Sequence, residues 1–234
     1  MKKVILAFIM FFIMTSVSLA DSTVYITQSG ASLDLDITLD GNGNAVGASN
    51  DRTLLTGANL DVDIDLIGAS NVITGDFIGA GESGQDDLKI NQTGSTNTTA
   101  LNVGSNAATD DVDIIENRTG SSGVTSYLVG SAANVQDVSI TVDVVGDDID
   151  IAISEQSTST GSDKTTDIDI GTDSDDVDII ITHTGAGAHK TKLLCAGSCA
   201  GSDFTMSQTG SNSTDVDLTV TNATSSDVDI TITD

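Results

Sequence analysis

The side chains best suited to chemistry gather late in the chain: His183 and His189 are its only histidines, and Cys195 and Cys199 its only cysteines. Imidazole and thiolate both bind zinc, but this spacing fits no standard finger. In an oxidising compartment, two cysteines four residues apart form a local disulfide or stay as small apolar side chains. No metal ligand is therefore assigned from sequence. A second pair, Glu116 and Arg118, falls on positions that alternate with polar ones. It forms a buried ion pair, or else the strand slips by one residue and turns Asp113, Ile115 and Asn117 inward. Ser, His and Asp are present, yet there is no Gly-x-Ser-x-Gly elbow, paired carboxylate in an apolar setting, P-loop or dinucleotide fingerprint. No catalytic residue is assigned, and an enzyme is not expected.

The elements that must position these residues announce themselves through glycine. Gly68, Gly94, Gly120 and Gly146 recur every 26 residues, and each closes a run in which apolar and polar residues alternate. Counting back six, four and two residues gives Val62/Ile64/Leu66, Leu88/Ile90/Gln92, Ile114/Glu116/Arg118 and Ile140/Val142/Val144. The same count from Gly41, Gly185 and Gly210 gives Leu35/Ile37/Leu39, Ile179/Ile181/His183 and Phe204/Met206/Gln208. Side chains two apart on a strand share a face, so these triplets predict one inward row. On the opposite face the seventh residue back is Asp34, Asp61, Asp87, Asp113, Ser139, Asp178 or Asp203, a row facing solvent.

Each unit has a second half. Asn44, Asn71 and Asn97 follow the glycine by three residues, and Phe77, Val103, Val129 and Leu194 follow Gly68, Gly94, Gly120 and Gly185 by nine, where they line a facing strand. The unit is strand, turn, strand, turn, and two such strands bury their inner face only by stacking. The expected fold is all-β: a β-solenoid of strand-turn-strand repeats of about 26 residues.

Residues 1–20 carry Lys2 and Lys3, an apolar run from Val4 to Met14, and Ser-Val-Ser-Leu-Ala. This is the pattern of a signal peptide, too short in its apolar core for a transmembrane anchor. Residues 21–234 then form a single repetitive domain, with irregular phase near 147–176 and 189–202. Without the leader, 6 basic residues face 35 acidic ones, a formal charge of −29, so nucleic acid and membrane insertion are not expected. The 3% aromatic content resembles that of disordered chains, whereas the 38% hydrophobic share and the phased β-branched residues oppose disorder. Proline is absent altogether. A chain whose backbone groups all pair along one axis has no place for a residue lacking an N–H, and a proline-free edge is open to strand addition.

Stacked strands lie about 4.8 Å apart, so two carboxylates in register repel by roughly 0.9 kcal/mol at the dielectric of water. Burial, screening or a bound cation must offset this. Calcium suits paired carboxylates, but no Gly-Gly-x-Gly-x-Asp nonapeptide occurs, so no cofactor is assigned and calcium stays a secondary reading.

Several units follow Ile-x-Gln-x-Gly-x-x-Asn. Ile90-Asn-Gln92-Thr-Gly94-Ser-Thr-Asn97 is complete, Ile26-Thr-Gln28-Ser-Gly30 and Met206-Ser-Gln208-Thr-Gly210 are partial, and Leu39 replaces Gln before Gly41 and Asn44. This resembles the curlin repeats of curli, the secreted functional amyloid of bacterial biofilms. The resemblance implies that Gln28, Gln92 and Gln208, with Asn44, Asn71 and Asn97, form inward amide ladders. It further implies a secreted or cell-surface protein that self-associates into fibres for biofilm matrix and cell adhesion. A nucleator subunit and outer-membrane secretion machinery would be its partners. Here the repeats are longer than usual for that family, and Leu39, Leu66, Val144, Arg118 or His183 stands where Gln is expected. Strand addition at exposed rungs, Val24–Gln28 and Val228–Ile232, would drive growth. The alternative is a monomeric acidic binding module, an adhesin or a calcium- or ice-binding solenoid, the last resting on the Thr-x-Thr pairs Thr219/Thr221 and Thr231/Thr233 near the end of the sequence.

Overall fold

A computed structural model of the chain describes residues 22–30, 32–47, 53–57, 59–79, 86–104, 109–130, 135–157, 163–172, 174–196, 199–210, 214–221 and 225–233. The leader expected over 1–20 lies outside them. Every described element is a β-strand, and all pairings are parallel, so the chain is a β-solenoid. Among the described residues, no helix is long and apolar enough to cross a membrane.

Two sheets face each other. The eight-stranded sheet stacks Leu33–Asp40, Leu60–Ile67, Asp86–Thr93, Thr109–Thr119, Val135–Val145, Asp163–Ile170, Ala188–Cys195 and Thr214–Val220 in chain order. The facing eleven-stranded sheet runs from Thr23–Val24 to Asp227–Thr233 through the intervening strands. Alternation explains the elements: β-branched and leucine side chains take every second position and point between the sheets, and short polar residues take the others. Val62, Ile64, Leu66, Ile90, Ile114, Ile140, Val142 and Val144 are all buried, as are Phe77, Val103 and Val129 opposite them.

The glycines are fixed by close backbone approach. A Cβ on Gly68 would lie 1.5 Å from the carbonyl oxygen of Gly41, and the same clash recurs at Gly94, Gly120, Gly146 and Gly210 against the glycine one rung away. No side chain fits there. Gly185 is the partner of Gly210.

Three expectations need correcting. The rows ending at Gly185 and Gly210 do not continue the inward row of the earlier units: Val177–Gly185 and Asp203–Thr209 belong to the eleven-stranded sheet. The Asp row accordingly splits. Asp34, Asp61, Asp87 and Asp113 stack in one sheet, and Asp150, Asp178, Asp203 and Asp227 in the other. Finally, Leu194 is only half-buried while Leu193 and Cys195 face the core. The turn after Gly185 brings Gly187 inward rather than a third residue, which reverses the alternation of the following strand.

Stacking continues through 147–176. Ile149–Ser157 pairs with Gly123–Val129 on one side and Val177–Gly185 on the other, and Asp163–Ile170 lies between Val135–Val145 and Ala188–Cys195. The phase is absorbed by turns: Ile149 stacks on Val177, 28 residues on, and Asp203 on Asp227, 24 residues on. Burial decides over charge. The contact between Leu60–Ile67 and Asp86–Thr93 stacks Val62 on Leu88 and Ile64 on Ile90, each side chain worth about 1.5–3 kcal/mol when buried. The single Asp61–Asp87 repulsion is smaller, at about 0.9 kcal/mol.

Candidate functional site

The alternation that buries the apolar residues also carries polar ones inward. Asn44, Asn71 and Asn97 take the first inward position after the glycine turn and are fully buried. Asn44 Nδ2 donates to Asn71 Oδ1 at 3.2 Å, and Asn71 Nδ2 donates to Asn97 Oδ1 at 2.9 Å. The amides also satisfy turn carbonyls, Asn44 donating to Gly41 (3.0 Å) and Ile67 (2.9 Å). These three residues form a short amide ladder. It stops where Gly123 stacks on Asn97, because the guanidinium of Arg118 occupies that space; a Cβ on Gly123 would lie 2.8 Å from Arg118 Cζ.

The glutamines form no ladder. Gln28 is exposed on an outermost strand, above Leu55. Gln92 is buried between Leu66 and Arg118, and its amide donates to the Thr98 carbonyl at 3.4 Å. Gln208 lies in the other sheet, between His183 and Ile232. Gln28 and Gln208 fall in one column of the eleven-stranded sheet but at its two ends, with Leu55, Phe77, Val103, Val129, Glu155 and His183 between them, and Gln92 lies in the facing sheet, so none reaches another.

Among the described residues, Glu116 and Glu155 are the carboxylates fully buried in the core, and their surroundings differ. Glu116 faces inward, as does Arg118, while Asp113, Ile115 and Asn117 face out, so the strand has not slipped. Its carboxylate accepts from Thr99 Oγ1 (2.8 Å), Thr125 Oγ1 (3.0 Å) and Tyr127 OH (2.8 Å), and Arg118 Nη1 donates to Thr125 Oγ1 at 2.8 Å. Burial pushes the Tyr127 phenol upward, reinforced by the Glu116 charge and hydrogen bond, and pulls the Arg118 guanidinium downward. The phenol stays a donor.

Glu155 stacks in register on His183, and Lys164 on His189 in the facing sheet. Thr166 Oγ1 donates to Glu155 Oε1 at 3.0 Å. Glu155 Oε2 lies 3.2 Å from His183 Nε2 and 3.9 Å from His189 Nδ1, and the two imidazoles are stacked with centroids 4.6 Å apart. Apart from that His183 contact Glu155 Oε2 has no partner, and both ring nitrogens of His189 make no hydrogen bond. Burial pushes the Glu155 carboxyl up to about 7, against the Thr166 hydrogen bond and the Lys164 charge. It also lowers His183 to about 3 and His189 to about 4, with Lys164 adding to both. The histidines therefore meet, but around Glu155 rather than the cysteines; Cys195 and Cys199 are joined in a disulfide with Cα atoms 6.4 Å apart. Sequence reasoning missed Glu155. Counting three, five, seven and nine residues on from Gly146 gives Ile149, Ile151, Ile153 and Glu155, which would have placed it inward.

Among the described residues, no element covers the outermost rungs of the solenoid. Val228, Ile230 and Ile232 of the last strand are 42%, 45% and 49% exposed, and Val216, Leu218 and Val220 facing them are half-buried. An apolar hollow between them is lined by Phe204, Met206, Leu218 and Ile230. At the other end Val24, Ile26, Leu33 and Leu35 are half-buried. The two ends carry the same pattern. Asp215-Val-Asp217-Leu-Thr219-Val220 matches Asp34-Leu-Asp36-Ile-Thr38-Leu39, and Val228-Asp-Ile230-Thr231 matches Val24-Tyr-Ile26-Thr27.

Outside, the acidic columns are partly relieved by neighbours: Asn91 donates to Asp65 (2.5 Å), Asn102 to Asp76 (2.7 Å), and Lys192 to Asp167 (2.8 Å) and Asp169 (3.3 Å). No family model, no curated protein and no solved structure matches this chain.

Proposed function

We propose that the chain is a secreted structural protein that self-assembles end to end into extracellular, curli-like amyloid fibres of the biofilm-matrix and adhesion type. The observation that supports this reading is the pair of pattern-matched outermost rungs, which no other described element covers. A second copy placed head to tail would set Thr214–Val220 against Leu33–Asp40, apolar on apolar and Thr on Thr, and Asp227–Thr233 against residues 23–29. Backbone hydrogen bonds and burial of the exposed Val and Ile side chains supply the attraction. The acidic outer columns keep neighbouring fibres apart. The signal-like residues 1–20 support export, and the Asn44–Asn71–Asn97 ladder supports kinship with curlin repeats. In that setting a nucleator subunit and outer-membrane secretion machinery are the expected partners.

The test is growth of thioflavin-positive fibres from purified protein, with and without calcium, and fibre diffraction at the strand spacing of about 4.8 Å. Fibres in either condition support the reading. Protein that stays monomeric in both overturns it and leaves the acidic binding module as the better description.

A further inference from the structure

We propose that Glu155, His183 and His189 bind one divalent transition-metal ion of the zinc class inside the solenoid. This is independent of the fibre reading. One carboxylate oxygen and one nitrogen from each imidazole lie within 4.8 Å of one another, and all three side chains are buried. A His₂Glu donor set is that of a borderline-soft cation, with neutral imidazoles suited to zinc, cobalt or nickel. The unmet demand is specific. Both nitrogens of His189 have no hydrogen-bond partner, Oε2 of Glu155 meets only the two imidazoles, and buried polar groups left unpaired cost about 1–3 kcal/mol each. A metal ion satisfies several of them at once. The other buried carboxylate, Glu116, has its three hydroxyl donors and presents no such vacancy in its bonding.

Lys164 is the group that opposes a dication. It is buried, stacks on His189, and its charge acts on Glu155 and both histidines. Lys164→Met keeps the apolar stem and removes that repulsion, so it should tighten binding, whereas a merely structural polar cluster gives no reason for metal affinity to rise.

Because the site is enclosed, metal is supplied during refolding of the purified protein, with cobalt(II) as the spectroscopic probe. The expected result is one cobalt per chain with visible d–d absorption. Glu155→Gln and His189→Gln should each weaken binding about tenfold or more, and Lys164→Met should strengthen it. X-ray absorption of the zinc-loaded wild type should show imidazole scattering at about 2.0–2.1 Å. A shell of oxygens alone, a shell containing sulfur, or cobalt binding unchanged in Glu155→Gln and His189→Gln would overturn the proposal. The wild-type absorption decides the matter even if a variant does not fold.

Discussion

The two halves of the solenoid bury a carboxylate in the same two-sheet core by different means. In the N-terminal half the repeat, once past Leu60, holds at 26 residues, an amide ladder runs beside the glycine turns, and Glu116 is saturated by three hydroxyls. Beyond Gly146 the interval varies between 24 and 28 residues, the amide ladder has ended, and Glu155 meets two stacked imidazoles with several nitrogens unbonded. A regular repeat lets successive rungs satisfy one another. Where turns change length, the polar groups brought inward come from unrelated positions and remain underbonded, which leaves chemistry available.

The sharpest way to break this contrast is the same substitution in both halves. Glu116→Gln puts an NH₂ where a carboxylate accepts from hydroxyls and leaves Arg118 buried beside a neutral group, so it should cost about 3–5 kcal/mol. Glu155, held up to about 7, already resembles a neutral acid, and Glu155→Gln should cost roughly 1 kcal/mol near pH 7 in metal-free protein. Urea midpoints of both variants measure this, and equal losses would remove the distinction.

Acid comes next. His183 and His189 have folded values near 3 and 4, depressed from 6.5, so their contribution is present above pH 6.5 and lost as pH falls towards 4. Glu155 has the opposite sign: its raised value favours the folded state below pH 4.5 and loses that advantage towards 7. With two bases against one acid, metal-free protein should lose about 2–3 kcal/mol between pH 6.5 and 4. His189→Gln should flatten the profile in the same urea titration.

Asn71→Ala removes the middle of the ladder, leaving Asn44 Nδ2 and Asn97 Oδ1 without their axial partner, and should cost about 1–2 kcal/mol. The smallest effect has the other sign. Asp87→Asn, in the column Asp34–Asp61–Asp87–Asp113, should stabilise by about 0.5–1 kcal/mol at low salt, and the gain should shrink as sodium chloride is added. Thermal melts at two salt concentrations read it.

What could be read from sequence follows the same division. The 26-residue glycine interval carried the fold class, the inward rows up to Val144, the Asn ladder and the inward orientation of Glu116 and Arg118, because there each rung fixes the parity of the next. The Gln ladder failed because the motif does not put its glutamines on neighbouring rungs: Gln28 and Gln208 stand at opposite ends of one column and Gln92 lies in the facing sheet. Leu194 failed because one residue fewer in a turn reverses a whole strand. The partners of Glu116, namely Thr99, Thr125 and Tyr127, come from the facing sheet, and local periodicity holds no information about which residues meet across the core. The inward position of Glu155 could be counted from Gly146, but its meeting with His183 and His189 could not, for the same reason.

The claim that the matched ends stack on one another is tested most directly by cysteine cross-linking. Thr38 and Thr219 are exposed on the two outermost strands of the eight-stranded sheet and occupy the same place in the shared pattern. Thr38→Cys with Thr219→Cys should oxidise into a ladder of covalent dimers, trimers and longer species. Thr38→Cys with Asp65→Cys, neighbours in register within one chain, serves as the control and should close internally. If the control closes while Thr38→Cys/Thr219→Cys yields only monomer at concentrations where fibres form, end-to-end stacking in this register is wrong.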